Sequence, residues 1–222
     1  MGLLRRALLP WTSAAGLLDR SAGRRPRFRP GIRPEVRGDG GRRFAFLAYN
    51  AISGSINAGE GRPGVAWFDM QPYAPDDPRD MAAMKEAVAR AKAEADFVVV
   101  GFRWSVEYTQ QPSSSMRAAA HTACDAGAEM VIGSHPHIIQ PYEYYNGSLI
   151  AYTLGNFVFD QMWAKYTREG FFLRCRLKGD LLTQVELVPY RICDCCQPNV
   201  LEGESGQYLL DRLLGISGIA AE

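Results

Sequence analysis

The sequence has no long apolar run, little net charge and few cysteines, and each shortage excludes a class of protein. No apolar stretch approaches the roughly 18–20 residues that a transmembrane helix needs. The formal net charge is +1, so composition does not favour a nucleic-acid partner. Five cysteines, three of them at Cys193, Cys195 and Cys196, fit no regular disulfide framework. Free or partly oxidised thiols are expected, because a zinc site usually takes a second pair of thiolates.

The charge is divided unevenly along the chain. Residues 1–43 hold eleven arginines against three acidic residues, which leaves the remainder mildly acidic. Residues 1–42 are rich in Arg, Gly and Pro and have few large apolar side chains, so they cannot bury enough surface to offset chain entropy. We expect them to be a disordered basic tail, followed by one domain over residues 43–222. The apolar stretch near the N-terminus is a weak export signal because Pro10 and the following polar residues interrupt it.

The first part of that domain alternates strands with helices, which is the signature of an α/β fold. Asp76 or Asp77 is expected to cap the first helix, and Ser113 or Ser114 the second, with Gly127 ending it. The predicted strands are 43–49, 97–102 and 129–133, with a further short one within 65–70, and the predicted helices are 78–95 and 113–126.

The pattern then changes to antiparallel pairs. Tyr142–Tyr145 and residues 148–154 flank Asn146-Gly147, a strong hairpin signal. Residues 171–177 and 181–187 alternate apolar and polar side chains about a second turn. A last amphipathic helix is expected to end before Gly215. Together these elements predict a mixed sheet covered by the two earlier helices.

Three loops follow predicted core strands, where open α/β sheets place their sites. His135 and His137 lie in the second loop on either side of Pro136. In extended backbone, residues two apart project to the same side, and proline favours that geometry. Two imidazoles that face one way are a natural pair of metal ligands. The alternative is two hydrogen-bonded loop histidines, and the remaining His121 is expected to be an ordinary surface residue.

Four other side chains of these loops could assist a metal pair. Arg103 cannot bind a cation, but its planar fork of donors can clamp a carboxylate or a phosphate. Glu107, Asn156 and Asp160 could supplement the histidines. Each also has a structural alternative: Glu107 paired with an arginine, Asn156 satisfying loop backbone, and Asp160 capping a turn.

The ordered run of these motifs resembles the CapA family. It comprises Gly133-Ser134-His135-Pro136-His137, then Gln140-Pro141, Asn146-Gly147 and Tyr152–Asp160, with Trp104-x-x-Glu107-Tyr108 upstream. The resemblance spans roughly residues 43–212. It implies a metallophosphatase-like mixed β-sandwich flanked by helices, and a bacterial cell-envelope role in making or handling poly-γ-glutamate capsule. It also implies that His135 and His137 bind a divalent metal ion (Mn, Zn or Fe), with an anionic substrate and capsule synthesis proteins as partners.

The chain also departs from the family pattern. Gly-Asp-x-Met-x-Gly, Asn-Leu-Glu and Asn-Asn-His segments that begin CapA-like proteins are absent, and Gly38-Asp39 lies in the basic tail with no predicted strand before it. We therefore expect a fold that lacks its N-terminal strands and a partial metal site. Three hypotheses stay open: a metal-dependent hydrolase with Arg103, Glu107 and Asn156 as catalytic residues, a non-catalytic envelope protein that binds the polymer or its synthesis machinery, and a truncated gene product.

Overall fold

The computed structural model describes residues 35–39, 41–52, 57–58, 63–178 and 181–218, which form two sheets and three α-helices. None of these helices is both long enough and apolar enough to cross a bilayer. The helices are α1 (Pro78–Glu94), α2 (Ser114–Asp125) and α3 (Gly203–Ser217). The strands are β1 (Glu35–Asp39), β2 (Arg42–Asn50), β3 (Ala66–Trp67), β4 (Phe97–Arg103), β5 (Met130–Ser134), β6 (Tyr142–Tyr145), β7 (Ser148–Ala151), β8 (Glu169–Lys178), β9 (Leu181–Cys193) and β10 (Gln197–Val200).

The large sheet has the order β1-β2-β4-β5-β7-β6, with β3 paired to β2. Strands β2, β4, β5 and β7 are parallel neighbours, while β1 and β6 run antiparallel at the two ends. The register pairs Arg103 at the end of β4 with Asn50 on one side and Ser134 on the other. The carboxyl ends of the parallel strands therefore meet at one edge, as the strand–helix alternation predicts.

The large sheet is covered on both faces, so its central strands are continuously apolar. Val98, Val100 and Val131 pack with the buried faces of α1 and α2 on one side. The small sheet has the order β10-β9-β8 and lies on the opposite side. There, Phe97 and Met130 pack with apolar residues of β8 and β9. The predicted mixed α/β fold with two covering helices is thus confirmed.

Local signals account for most element boundaries. The Asp77 carboxylate accepts the Arg79 backbone N–H at 2.9 Å and caps α1. The Ser113 hydroxyl accepts the Met116 backbone N–H at 3.2 Å and caps α2. Asn146 and Gly147 have φ of +48° and +83°, which is the pair of positive φ angles that a two-residue hairpin turn of this twist requires.

Two expectations about boundaries are wrong. Helix α3 continues through Gly215 to Ser217, and the following Gly218 has a φ of +71°, the left-handed conformation of a helix terminator. Strand β1 lies inside the segment predicted to be a tail, so Gly38-Asp39 does close a strand. It pairs antiparallel with β2, because ladder hydrogen bonds join backbone groups and need no large apolar side chains. The part of the predicted tail at residues 1–34 lies outside the described residues.

Candidate metal centre

Two of the predicted site loops are bound to each other along the carboxyl edge of the large sheet. The Trp104 backbone N–H donates to the Ser134 carbonyl at 3.2 Å, and the Tyr108 N–H donates to the Pro136 carbonyl at 2.9 Å. The side-chain Nε2 group of Gln140 donates to the Thr109 carbonyl at 2.8 Å. The loops that follow β4 and β5 are therefore held together as one surface.

A buried tryptophan supports this surface from below. Trp104 is fully buried, stacks on Phe102 at 4.5 Å and donates its indole N–H to the Tyr152 carbonyl at 3.0 Å. A Cβ added at Gly133 would lie 1.9 Å from that carbonyl oxygen and 2.3 Å from the indole nitrogen. Only glycine fits there, so Gly133 allows β5 to approach both neighbours directly below the histidines.

Three side chains with metal-ligand chemistry meet in the loops that follow β4 and β5. The nearest ligand atoms of Glu107, His135 and His137 all lie within 4.8 Å of one another. His137 Nε2 is 3.6 Å from the nearer Glu107 oxygen, which is too long for a hydrogen bond. The structure thus brings both predicted metal ligands together, and Glu107, predicted as a catalytic assistant, joins them.

The backbone at the histidines is not extended, contrary to the sequence prediction. His135 and His137 have φ of +100° and +64°, in the left-handed region that few non-glycine residues adopt. Ser105 and Tyr108, in the facing loop, have φ of +74° and +62°. Such conformations cost about 1–3 kcal/mol each and concentrate at functional sites. The two imidazoles meet because the loop turns sharply, not because alternate residues of a strand share a side.

Asn156 holds His137 in one orientation. The Asn156 Nδ2 group donates to Gln161 Oε1 at 3.0 Å and to the Thr167 carbonyl at 2.9 Å. Both amide hydrogens are then used, so Asn156 Oδ1 is the atom that lies 2.8 Å from His137 Nδ1. Nδ1 therefore carries a hydrogen, and in the neutral imidazole this leaves the lone pair on Nε2, facing Glu107. Metal-binding histidines are typically oriented in this way by a hydrogen bond to the second nitrogen.

His135 is the least satisfied polar side chain of the site. The residue is 8 % exposed, and neither ring nitrogen has a hydrogen-bond partner among the described residues. Burial lowers the pKa of His135 to about 4, assisted by the positive charge of Arg103 and by His137 in its protonated form, and opposed by Glu107. The imidazole is therefore neutral at pH 7. Buried polar atoms are almost always paired, so two orphaned nitrogens beside His137 and Glu107 fit the donor set of a metal ion.

The remaining predicted residues lie around this group. Arg103, exposed at the end of β4, makes no hydrogen bond through its side chain and no ion pair within the described part of the chain, although its charge acts on His135. Asp160 is exposed and is not among the three grouped ligands. Asn156 lies behind His137 rather than beside the ligand atoms. Of the predicted residues, Glu107, His135 and His137 thus form the ligand group, and Asn156 orients His137. Arg103 offers an exposed positive charge nearby, and Asp160 lies outside the group.

Aromatic rings surround the two histidines. The Phe159 and Tyr108 rings lie 5.2 Å and 6.1 Å from the His137 ring, and the Tyr73 ring lies 6.4 Å from the His135 ring. The three rings are 40–42% exposed, so they border the ligand group on its solvent side.

Sequence reasoning missed Gln161 and Thr167, which fix the Asn156 amide. Gln161 is 9 % exposed and Thr167 is fully buried, with the Thr167 hydroxyl donating to the Gln161 carbonyl at 2.7 Å. They follow Asn156 by five and eleven positions on an irregular segment, so no periodicity connects them. The available signal was a glutamine directly after the aromatic motif that ends at Asp160.

Two other groups suggested ligand chemistry and have structural explanations. Asp69, Asp77 and Asp80 also bring carboxylates within 4.8 Å of one another. Asp77 caps α1, however, and the Asp80 carboxylate accepts the Asp69 backbone N–H at 2.8 Å. The five cysteines are free thiols, and none joins a metal-ligand group within the described residues.

The fold and the site together define an α/β protein with a His-His-Glu candidate metal centre at the carboxyl edge of its parallel strands. The family model described as Bacterial capsule synthesis protein PGA_cap matches residues 19–161. The chain therefore belongs to this family, the CapA family that its motifs resemble.

Three curated relatives are similar to parts of the chain. The PGA biosynthesis protein CapA of Bacillus subtilis (strain 168) is 37% identical over 150 residues, which is 67% of this chain and 36% of the relative. The capsule biosynthesis protein CapA of Bacillus anthracis is 39% identical over 101 residues, 46% of this chain and 24% of the relative. A probable polyglutamine synthesis accessory protein of Mycobacterium tuberculosis (strain CDC 1551 / Oshkosh) is 34% identical over 99 residues, 45% of this chain and 25% of the relative. The aligned part of the chain thus spans about a third or less of these relatives.

Proposed function

We propose that the chain serves poly-γ-glutamate capsule synthesis or handling in the bacterial cell envelope, with Glu107, His135 and His137 as the ligands of a metal-dependent hydrolase site. The observation that carries the proposal is the convergence of three ligand side chains on one point, with both nitrogens of buried His135 free of other partners among the described residues. Membership of the capsule synthesis family supplies the biological setting.

The ligand set suits a divalent ion. Two imidazoles and one carboxylate bind zinc in hydrolases that keep a fourth position open, and they also bind non-haem Fe(II). Ligand atoms about 2.0–2.2 Å from one ion lie a few ångströms apart, which agrees with the 3.6 Å between His137 Nε2 and Glu107. Zinc, manganese and iron are the candidate metals. A bound ion of this kind lowers the pKa of a coordinated water to about 7 and thereby supplies a nucleophile.

The other residues have separate roles in this proposal. The Arg103 guanidinium, which has no carboxylate partner within the described residues, binds a carboxylate of the substrate through its planar fork. Asn156 keeps Nε2 of His137 directed at the ion. Tyr73, Tyr108 and Phe159 lie beside the histidines on the side where substrate enters. Glu107, with 48% of its side chain exposed, lies on the open side where substrate enters.

The polymer is proposed as substrate because two relatives are named as PGA and capsule biosynthesis proteins, and because its repeated carboxylates suit Arg103. Capsule synthesis proteins are the proposed partners, and a metallophosphatase-like sandwich is the proposed fold relationship. The described residues offer ligands for one ion at this edge of the sheet.

Calorimetric titration with zinc or manganese tests the metal centre. The chain and His121→Ala should show saturable binding, whereas His135→Ala and His137→Ala should not. His121 is a matched control because it lies on α2, where it contacts Glu143 instead of the candidate ligands. An absence of binding in the unmutated chain would overturn the hydrolase site and favour the non-catalytic polymer-binding alternative. Metal-dependent shortening of poly-γ-glutamate, followed by size-exclusion chromatography, tests the reaction.

A further inference from the structure

A buried carboxylate surrounded by cations lies next to the segment that supports the metal centre. Glu169, the first residue of β8, is fully buried. Its two oxygens contact Arg212 Nη1 at 2.6 Å, Arg191 Nη2 at 3.0 Å and Lys165 Nζ at 3.8 Å. The cations come from α3, from β9 and from the residue before a 3-10 turn (Tyr166–Arg168).

The charges of this cluster do not balance. One carboxylate meets three cations, and no second carboxylate of the described residues comes within ion-pair distance of them. Asp211, next to Arg212 on α3, instead accepts a hydrogen bond from Gln207 at 2.7 Å. The surplus is two positive charges, which a structural ion pair does not require.

The cations are partly open to solvent. The side chains of Lys165, Arg191 and Arg212 are 55%, 27% and 29% exposed. Their exposed atoms carry positive charge that Glu169 alone does not balance, so an external anion that supplies acceptors would stabilise this arrangement.

We propose that Lys165, Arg191 and Arg212 form a second anion-binding site that holds carboxylates of a γ-linked glutamate polymer. The distances from Glu169 to the three cations and their exposure support an anion site independently of any function, whereas the identity of the polymer rests on the proposed function. The site is connected to the metal centre, because the Thr167 carbonyl accepts a hydrogen bond from Asn156 and Asn156 contacts His137.

Binding of a fluorescent γ-glutamate oligomer of defined length, measured by anisotropy with a chelator present, tests this site apart from any metal. Lys165→Gln should weaken binding about two- to five-fold, the range of a single exposed charge contact. Arg191→Lys keeps the charge beside Glu169 but loses the planar fork, and it should weaken binding by a similar or larger factor. Arg174→Gln is the matched control, because Arg174 is 65% exposed on β8 and pairs with Glu186 outside the cluster.

The proposal is overturned if Lys165→Gln and Arg191→Lys both bind the oligomer like Arg174→Gln, with thermal unfolding showing that all three are folded. It is also overturned if inorganic phosphate or free glutamate displaces the oligomer at equal concentration, because the site would then be a general anion site. Loss of metal binding in His137→Ala leaves this titration unchanged, so failure of the metal centre and failure of the polymer site are distinguishable.

Discussion

Replacing Asn156 by alanine would remove three hydrogen bonds from the buried side of the candidate metal centre. The substitution leaves His137 Nδ1, Gln161 Oε1 and the Thr167 carbonyl without their partner. A buried polar group that loses its partner costs about 1–3 kcal/mol, and partial entry of water reduces the sum. We therefore expect the free energy of unfolding to fall by about 2–4 kcal/mol. Zinc affinity should fall about 10- to 100-fold, because His137 is no longer oriented.

Asn156→Asp separates orientation from stability. An aspartate keeps an acceptor for His137 Nδ1 but cannot donate to the Thr167 carbonyl, which then faces a carboxylate. We expect it to destabilise the protein at least as much as alanine while retaining more of the zinc affinity. The hydrogen bond from the Tyr190 hydroxyl to the Asn156 backbone carbonyl remains in both variants.

Urea denaturation of the metal-free protein and calorimetric zinc titration measure the two effects. Asn199→Ala, at an exposed position of β10, is the control and should change stability by less than about 0.5 kcal/mol. The reasoning would be refuted if Asn156→Ala bound zinc with the unmutated affinity. Equal loss of affinity in the alanine and aspartate variants would also show that Asn156 does not act by accepting from His137.

Two glycines and one histidine give further predictions. Gly133→Ala should lower the thermal midpoint strongly, because its methyl group would clash with the Tyr152 carbonyl. Gly215→Ala should raise stability by about 0.5–1 kcal/mol, because Gly215 lies in a helix and nothing is within 4 Å of the new carbon. The reverse order of thermal midpoints in differential scanning calorimetry would contradict the packing argument. The pKa of His135 is about 4 in the folded protein and near 6.5 when unfolded, so between these values the unfolded chain binds more protons and unfolding free energy falls as pH falls. The unfolding free energy of the metal-free protein should fall by on the order of 2–3 kcal/mol from pH 6.5 to 4 through His135. Denaturation of His135→Gln over the same pH range should lack this decrease. If the pH dependence of stability is unchanged in the variant, His135 is not its source.

The sequence alone determined the elements of the fold, because their signals are local. Asp77 and Ser113 cap helices through hydrogen bonds to residues two and three positions ahead, so a short window contains the whole interaction. The apolar run of β4 identified a strand covered on both faces, and Asn146-Gly147 identified a hairpin. The parallel order of the strands then placed the loops bearing Arg103 and His135 at one edge of the sheet.

Only the tertiary structure decided how the side chains of those loops pair. The left-handed backbone at His135 and His137 occurs where the loops after β4 and β5 are hydrogen-bonded to each other, and the extended preference of a residue before proline does not predict it. The ion pairs of Glu169 on β8 are made with Arg191 on β9 and Arg212 on α3, which follow it by 22 and 43 positions in the chain. Hydrogen bonds and ion pairs of this kind depend on distances across the folded core, whereas caps, turns and apolar periods depend on neighbours along the chain.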